Sequence, residues 1–277
     1  MVNNVESQSA PTYEIYITHA LIPPWKEILE KGQMETWAPR SNQRIRHVYA
    51  RPVGPFVQSL DKFYWKLRWT KLPGKAITLF EVLRSRIILM LKPKFIYPKN
   101  SYTKQDVLID IPDLYFLSNL KSIAIHRLAA ESTKNFVVLT TSSSYINERL
   151  LQRDLDKLPR QKVVAGRVLQ SREKKFMSGS FRLYSPDVLF ETMKNLKGYR
   201  SWLAEDLALG HLISQKEFNF MNLKSVDIGS ISELESLTSN TLKETVHFRV
   251  KSGSLLKRND VEIMLALHKK LQELDAI

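Results

Sequence analysis

The chain has 277 residues, of which 43% are hydrophobic, so it is long and apolar enough to form a large folded core. It contains no cysteine, which excludes disulfides, thiolate zinc sites and a cysteine nucleophile. The formal net charge is +14, and residues 26–104 carry most of it, with 17 Lys and Arg against 5 Asp and Glu.

The N-terminal part of the chain predicts neither a leader nor a membrane anchor. Residues 1–9 are polar and lack the basic-then-apolar order of a signal peptide, and we expect residues 1–10 to be disordered. The most apolar run, residues 76–91, is interrupted by three charged side chains, which excludes a transmembrane helix there. We therefore expect a cytoplasmic protein.

The basic segment 26–104 interleaves its charges with aromatic residues, as in the run 63–71. Such a pattern suits nucleic acid, an anionic membrane surface or an anionic ligand such as a sugar nucleotide. No nucleic-acid-binding motif accompanies the charge, so nucleic acid is not favoured. Peripheral contact with the inner face of a membrane stays open, and so does a merely solvated basic surface.

The predicted strands and helices alternate along the chain. This alternation predicts an α/β protein with a mainly parallel central sheet flanked by helices. In the last helix, Val261, Met264, Leu265 and Leu271 form the predicted buried stripe. The predicted strands cover residues 13–18, 44–50, 106–110, 136–140, 162–166 and 181–184, and the predicted helices cover residues 25–31, 114–130, 145–158, 186–196, 207–213 and 261–274.

Three polar segments are expected at the ligand-binding edge of this sheet, where its strands end. The first is the serine-rich segment 140–145. The second is Ser178-Gly179-Ser180, predicted as a turn before a strand, whose small residues let backbone N–H groups approach a ligand. The third is the pair Glu205-Asp206 at a helix start, where a carboxylate is stabilised and available as a base. The alternative for this pair is an acidic first turn on an ordinary helix.

The order of these motifs resembles the Fringe-like β-1,3-glycosyltransferases, the galactosyltransferase and N-acetylglucosaminyltransferase superfamily with the GT-A fold. The resemblance covers residues 100–215 well and the N-terminal hundred residues by general layout only. It implies one GT-A-type, Rossmann-like domain over residues 1–277, with a nucleotide-sugar-binding half at 11–160 and an acceptor or catalytic half at 161–277. The matching segments are Asp113-Leu-Tyr115 with Leu120-Lys121-Ser122, residues 136–146, residues 178–185 and residues 205–210.

The resemblance implies that a sugar moves from a nucleotide-sugar donor, with a UDP-sugar favoured, to a saccharide or lipid-linked acceptor, as in polysaccharide biosynthesis. The second acid of the last motif is the family's catalytic base, which corresponds to Asp206. Glu205 would orient or tune it. Tyr199 and Trp202 precede the acid pair and are candidates for an aromatic wall against the acceptor sugar, with core packing as the alternative.

The chain departs from the family at the metal motif, where Ser142-Ser143-Ser144 replaces the acidic residues that hold Mn²⁺. Hydroxyls are poor metal ligands, so Mn²⁺ stays uncertain, and His247 is retained as a candidate ligand because family members often use a histidine near the C-terminus. Asp154-Leu-Asp156 spells an Asp-x-Asp motif but falls inside a predicted helix. The donor-binding candidates are Thr141, Ser142, Ser143, Ser144, Lys121, Ser178, Gly179, Arg249 and Lys251.

Two interpretations follow from the missing acids. In the first, Lys and Arg side chains neutralise the leaving diphosphate, with Lys121, Arg167, Arg249 and Lys251 as candidates. In the second, the protein has lost catalysis and keeps only binding, as a glycosyltransferase-like scaffold.

Overall fold

The computed structural model of the protein describes residues 10–41, 44–69, 93–97, 106–171, 174–194, 196–200, 203–253, 258–275 and 277. The expected disorder of the N-terminus falls on residues outside these ranges, except for Ala10. The apolar run 76–91 and Trp202 also lie outside the described residues.

Eight strands of the described residues form a central sheet. The strands are β1 (Tyr13–Thr18), β2 (Arg44–Arg51), β3 (Phe95–Ile96), β4 (Val107–Pro112), β5 (Phe136–Thr141), β7 (Val163–Ser171), β8 (Lys174–Tyr184) and β9 (Asn219–Asn222), in the order β3-β4-β2-β1-β5-β8-β7-β9. Four central neighbours, β4-β2-β1-β5, are parallel, β8 runs antiparallel to both β5 and β7, and β9 is parallel to β7.

A smaller sheet of three described strands has the order β10-β11-β6. It consists of β6 (Ser144–Ile146), β10 (Ser225–Ile228) and β11 (His247–Val250). Strand β6 leaves the end of β5 and pairs antiparallel with β11, with Ser144 opposite Arg249. The serine-rich segment therefore passes from one sheet to the other.

The helices occupy both faces of the central sheet. Helix α1 (Trp25–Glu27) continues as a π-helical turn (Ile28–Gln33), and short 3₁₀ turns lie at Ala38–Arg40, Tyr115–Leu117 and Leu196–Gly198. The remaining helices are α2 (Pro55–Trp69), α3 (Ser118–Ala130), α4 (Glu148–Leu155), α5 (Pro186–Lys194), α6 (Glu205–Ile213), α7 (Ile231–Ser236), α8 (Ser239–Glu244) and α9 (Asp260–Glu273).

Two hydrophobic clusters fill the space on the two sides of the sheet. Strand β1 contributes side chains to both clusters. Ile15 and Ile17 pack with α9 and the small sheet, while Tyr16 between them packs with α3, α5 and α6. This burial on both faces confirms the predicted α/β architecture with helices flanking a largely parallel sheet.

Most of the predicted elements are confirmed, and three details are wrong. The predicted helix 145–158 begins only at Glu148, because the apolar residues before it pair with β11, and the side chain of Asn147 caps the helix by accepting the Leu150 N–H. The predicted turn at 178–180 lies inside the continuous strand β8. Leu265 is 43% exposed, whereas Met264 and Leu271 are buried as expected.

Candidate functional site

A bulge in β8 brings the Ser-Gly-Ser segment to the site. Gly166 of β7 pairs with Arg182 and Val168 pairs with Met177, so a single residue of β7 lies opposite four residues of β8, 178–181. Gly166 has φ +138°, and a Cβ there would lie 2.6 Å from the carbonyl oxygen of Phe181. Only glycine tolerates both conditions, so Gly166 makes the bulge possible.

The bulge lies beside the end of β5, at the edge where a ligand was expected. Thr140 is the last residue of β5 that pairs with β8, opposite Phe181, so residues 178–180 extend alongside the serine run. The hydroxyls of Thr140 and Ser144 both donate to the Ser180 carbonyl, at 2.9 and 3.0 Å. Two of the three predicted segments are therefore in direct contact.

Helix α6 is held against β8 by a close approach at Gly210. A Cβ at this position would lie 2.2 Å from the Cβ of Phe176, so the helix packs at this distance only because the residue is glycine. The helix is buried from Ala208 to Ile213. The spacing between this glycine and the acid pair therefore fixes where the pair stands relative to the bulge.

The acid pair faces Gly179. A Cβ at Gly179 would lie 3.5 Å from Oδ2 of Asp206 and 3.7 Å from Oε1 of Glu205. The other carboxylate oxygen of Asp206, Oδ1, accepts the backbone N–H of Leu207 at 2.9 Å. One carboxylate oxygen of Asp206 therefore stabilises the first turn of α6, and the other points toward the bulge.

A buried arginine that the sequence analysis did not single out lies under the pair. Arg182 of β8 is 5% exposed, and its Nη2 donates to Oε1 of Glu205 at 3.4 Å, while its Nε and Nη1 have no partner among the described residues. Burial opposes its charge, but Tyr184, Glu205 and Asp206 raise the pKa of Arg182. The same environment, burial above all, raises the pKa of Tyr184 to about 12. Alternation along β8 is the signal that would have placed Arg182 on this face.

The serines of the replaced metal motif are mostly buried and bonded within the protein. Ser142 and Ser143 are 3% and 6% exposed, and Ser144 is fully buried. Gln33 binds the carbonyl oxygens of Thr141 and Ser144 at 2.9 and 2.7 Å and so fixes the path of the segment. Thr141 is half-buried and follows the alternation of Val137 and Leu139, which places it on the α6 face.

His247 is packed rather than open to a ligand. Its Nε2 lies 3.0 Å from the Ser144 hydroxyl and its Nδ1 lies 2.7 Å from the Ser225 hydroxyl, and its ring stacks on Phe181 at 4.7 Å between centroids. Burial lowers the pKa of His247 to about 3, with Arg249 and Arg167 adding to the effect. This arrangement matches the packing alternative that was open for His247.

The residues present do not fit a Mn²⁺ ion at the serine run. Hydroxyls replace the carboxylates, both ring nitrogens of His247 are engaged, and the described residues contain no cluster of three His, Asp or Glu able to hold a metal. Asp154 of the Asp-x-Asp sequence lies on α4 in ion pairs with Arg153 and Lys157.

The candidate cations for a diphosphate occupy different positions. Lys121 at the start of α3 is paired with Asp113 at 2.7 Å, which joins two residues of the first family-like motif. Arg167 is paired with Asp227 at 2.6 Å, and Arg249 is half-buried in β11. Lys251 is exposed and follows Val250, whose N–H donates to the Ser143 carbonyl at 2.8 Å. Of these four, Lys251 is exposed next to the serine run.

Arg258 is a further cation at the serine run that the sequence analysis missed. Its Nη2 donates to the Ser143 hydroxyl at 2.9 Å and also to the carboxylate of the fully buried Asp260. Its guanidinium lies 4.4 Å over the ring of Trp25. Only the folded arrangement brings this arginine, far along the chain, next to Ser143.

The two acceptor candidates are not both tested by the structure. Tyr199 is 3% exposed, and its hydroxyl donates to Oδ1 of Asn119 at 2.6 Å. Nδ2 of Asn119 in turn donates to the carbonyl of Leu203, just before α6. Tyr199 thus packs beneath the acid pair, as in the core-packing alternative. Trp202 lies outside the described residues.

Comparisons with known proteins give no family assignment from sequence. No protein-family model matches the chain, and no curated protein matches its sequence. Solved structures similar to the chain include the galactosyltransferase LgtC in complex with donor and acceptor sugar analogues, at 8% identity and a TM-score of 0.48, and an active-site mutant of LgtC, at 8% and 0.47. Each alignment covers 93% of this chain and 95% of the other. The Fringe-like subfamily stays a prediction from the order of motifs.

Proposed function

We propose that this chain is a GT-A-type glycosyltransferase that moves a sugar from a nucleotide-sugar donor to a hydroxyl of a saccharide or lipid-linked acceptor. The observation that carries the proposal is the position of Asp206. Its Oδ2 faces the side-chain-free surface of Gly179, at the edge of the sheet beside the end of β5. A carboxylate at such an edge is available to a ligand bound across the strand ends.

Asp206 would act as the general base. Its Oδ2 accepts the proton of the acceptor hydroxyl while that oxygen attacks the anomeric carbon of the donor sugar. The new carbon–oxygen bond forms as the bond to the diphosphate breaks, and the nucleoside diphosphate leaves with the electron pair, which inverts the anomeric centre. Glu205, held by Arg182, would shape the field around the base.

The donor, with UDP-sugars favoured, would lie along the serine run and the bulge. Thr141 on the α6 face and the segment 178–180 supply hydroxyl and backbone groups. The residues at the serine run do not fit Mn²⁺, so the leaving diphosphate would be neutralised by cations, with Lys251 the exposed candidate beside Ser143. Residues 11–160 would then supply one part of the donor site, and residues 161–277 would supply the other part together with the base and the acceptor site.

A glycosyltransferase-like scaffold without turnover is the second candidate. The observation that favours it is the serine run itself, whose Ser142 and Ser143 are nearly inaccessible and whose Ser144 is committed to Ser180 and His247. A scaffold would bind the donor or a glycan and release no nucleoside diphosphate.

A thermal-shift screen against UDP-, GDP-, CMP- and dTDP-sugars, each with Mn²⁺ and with EDTA, tests the proposed donor class. A ligand that binds only the folded state raises the melting temperature. We expect a UDP-sugar to raise it in EDTA as well as in Mn²⁺. The absence of a shift with every donor would contradict the proposal, and a shift that requires Mn²⁺ would contradict the metal-independent form of it.

The proposed membrane contact is supported by helix α2. Phe56, Leu60 and Phe63 recur at helical spacing and are 75%, 54% and 60% exposed. The helix is attached by another side, where Asp61 accepts the N–H of Phe116 at 2.9 Å. The helix belongs to the basic segment 26–104, and an exposed apolar stripe in a basic segment favours an anionic lipid surface. No helix among the described residues is long and apolar enough to cross a membrane.

Vesicle co-sedimentation tests this contact. We expect the protein to bind phosphatidylserine vesicles more strongly than phosphatidylcholine vesicles, and the double variant Phe56→Ser with Leu60→Ser to lose most of that binding. Phe190→Ser on α5 is the matched control, since Phe190 is 58% exposed elsewhere. Equal binding by wild type and the α2 double variant would contradict the contact.

A further inference from the structure

A cavity of about 580 Å³ lies on the α9 side of the central sheet, whereas the acid pair begins α6 on the other side. Tyr13, the first residue of β1, lines it together with Tyr145 of β6 and His268 of α9. Trp37 also lines the cavity and donates to the Ser144 carbonyl at 2.9 Å, so the cavity lies behind the serine run. Nothing in the proposed transfer reaction uses this cavity.

Two buried polar atoms of the cavity lining have no hydrogen-bond partner among the described residues: Nε2 of His268 and Oε1 of Glu148, whose carboxylate is otherwise bonded to the hydroxyls of Ser41 and Tyr13. Buried polar groups are normally satisfied, so such atoms in a cavity wall indicate a missing partner. His268 is 7% exposed, and its Nδ1 lies 2.6 Å from the hydroxyl of Tyr145. Burial lowers the pKa of His268, so the ring is neutral and Nε2 offers one hydrogen bond to an occupant.

Two arginines stand at the rim of the same cavity. Arg40 and Arg149 are both exposed and line it, and neither forms an ion pair with a described residue. The charge of Arg40 acts on both His268 and Tyr145, so Arg40 lies near these two side chains of the cavity wall. Guanidinium groups bind carboxylates and phosphates with paired hydrogen bonds.

We propose that this cavity is a binding site for a small hydroxylated anion, a sugar phosphate or a sugar acid. The anionic group would bind Arg40 and Arg149, and hydroxyls would reach His268 Nε2 and donate to Glu148 Oε1. The mixture of two cations, a carboxylate and a neutral imidazole fits such a molecule better than a bare anion or an uncharged ligand. The site does not depend on the proposed transfer reaction.

Isothermal titration of the full chain with four probes tests the site: glucose 6-phosphate, glucuronate, glucose and inorganic phosphate. We expect glucose 6-phosphate or glucuronate to bind at least about tenfold more tightly than either glucose or phosphate, because only they satisfy both the rim and the interior. The stronger of the two identifies phosphate or carboxylate as the anionic group. If neither binds the wild-type protein more tightly than glucose and phosphate do, the proposal is wrong.

Variants locate the binding. Arg40→Gln and Arg149→Gln should each weaken the anionic sugar by about tenfold or more. Arg153→Gln should not, because Arg153 lies one turn further along α4, paired with Asp154, and does not line the cavity. Both arginines of the rim are exposed, so their replacement should leave the fold intact.

The catalytic edge supplies the decisive control. Asp206→Asn and saturating nucleotide-sugar should leave anionic-sugar binding unchanged. Binding that survives both rim substitutions, or that a nucleotide-sugar displaces, would place the anionic sugar at the catalytic edge and overturn the proposal. Failure of nucleotide-sugar binding alone would count against the proposed function and leave this site standing.

Discussion

At the scale of single residues, the arrangement around Arg182 has the clearest functional consequence. The structure places one buried cation against two carboxylates, with Glu205 in contact at 3.4 Å and Asp206 close enough to affect its charge. Removing a single partner from such a group leaves the other charges without compensation. We therefore propose that Arg182 positions the acid pair through Glu205.

Arg182→Met is expected to reduce turnover by about tenfold or more, because it leaves the acid pair without its buried counter-charge. Arg182→Lys keeps the charge and should restore most of the wild-type turnover. The measurement is nucleoside diphosphate release, with urea denaturation to show that each variant folds. Unchanged turnover in a folded Arg182→Met protein would show that Arg182 serves packing alone.

At the scale of elements, α6 and the β8 bulge form the site together. Gly166 permits the bulge and Gly210 permits the close approach of the helix, and both positions exclude a side chain for steric reasons. The candidate site is thus specified by two glycines as much as by its acids.

Gly210→Ala should destabilise the protein by at least about 1–3 kcal/mol, the usual cost of overpacking, because its Cβ would stand 2.2 Å from that of Phe176. It should also displace the acid pair and reduce turnover. Gly54→Ala is the matched control, since a Cβ there meets no atom within 4 Å. Urea denaturation measures the stability of both variants, and equal stability of Gly210→Ala and Gly54→Ala would contradict the packing described for α6.

The sequence predicted β1, β5, α3, α5 and α6 well, because apolar periodicity and proline or small-residue boundaries are local signals. It mistook β6 for helix, since a three-residue strand has no period of its own and pairs with β11 a hundred residues later. The sequence predicted that the acid pair and the segment containing Gly179 lie at the same edge of the sheet. Alternation along β8 gives the face of Arg182 but not its contact with Glu205, and only the folded chain brings Arg258 next to Ser143.

At the scale of the whole molecule, several histidines are buried in their neutral form. Burial lowers the pKa of His126 and of His247 to about 3, with Arg182 adding to the effect at His126. In the unfolded chain these histidines bind a proton near pH 6.5, whereas in the folded protein they do so only near pH 3. The free energy of unfolding is therefore not reduced by them above pH 6.5, and it falls as the pH drops from 6.5 toward 3.

His247→Gln should therefore reduce the pH dependence of stability. Around pH 5 each such histidine lowers the free energy of unfolding by about 1.4 kcal/mol for every unit that the pH falls. The slope of the free energy of unfolding against pH should be smaller by about that amount in the variant. Chemical denaturation at a series of pH values between 4.5 and 7 provides the measurement. A slope equal to that of the wild type would mean that His247 is protonated in the folded protein.

Nucleoside diphosphate release by wild type and Asp206→Asn, with donor binding measured in parallel on the same proteins, distinguishes catalysis by Asp206 from a structural role. Asparagine keeps the oxygen that accepts the Leu207 N–H, so the variant should fold and bind donor normally. We expect its turnover to fall by about 10²–10⁴, the range typical of a lost general base. Asp187→Asn, at the first turn of α5, should leave turnover unchanged. If Asp206→Asn turns over as fast as the wild type, Asp206 is not the general base.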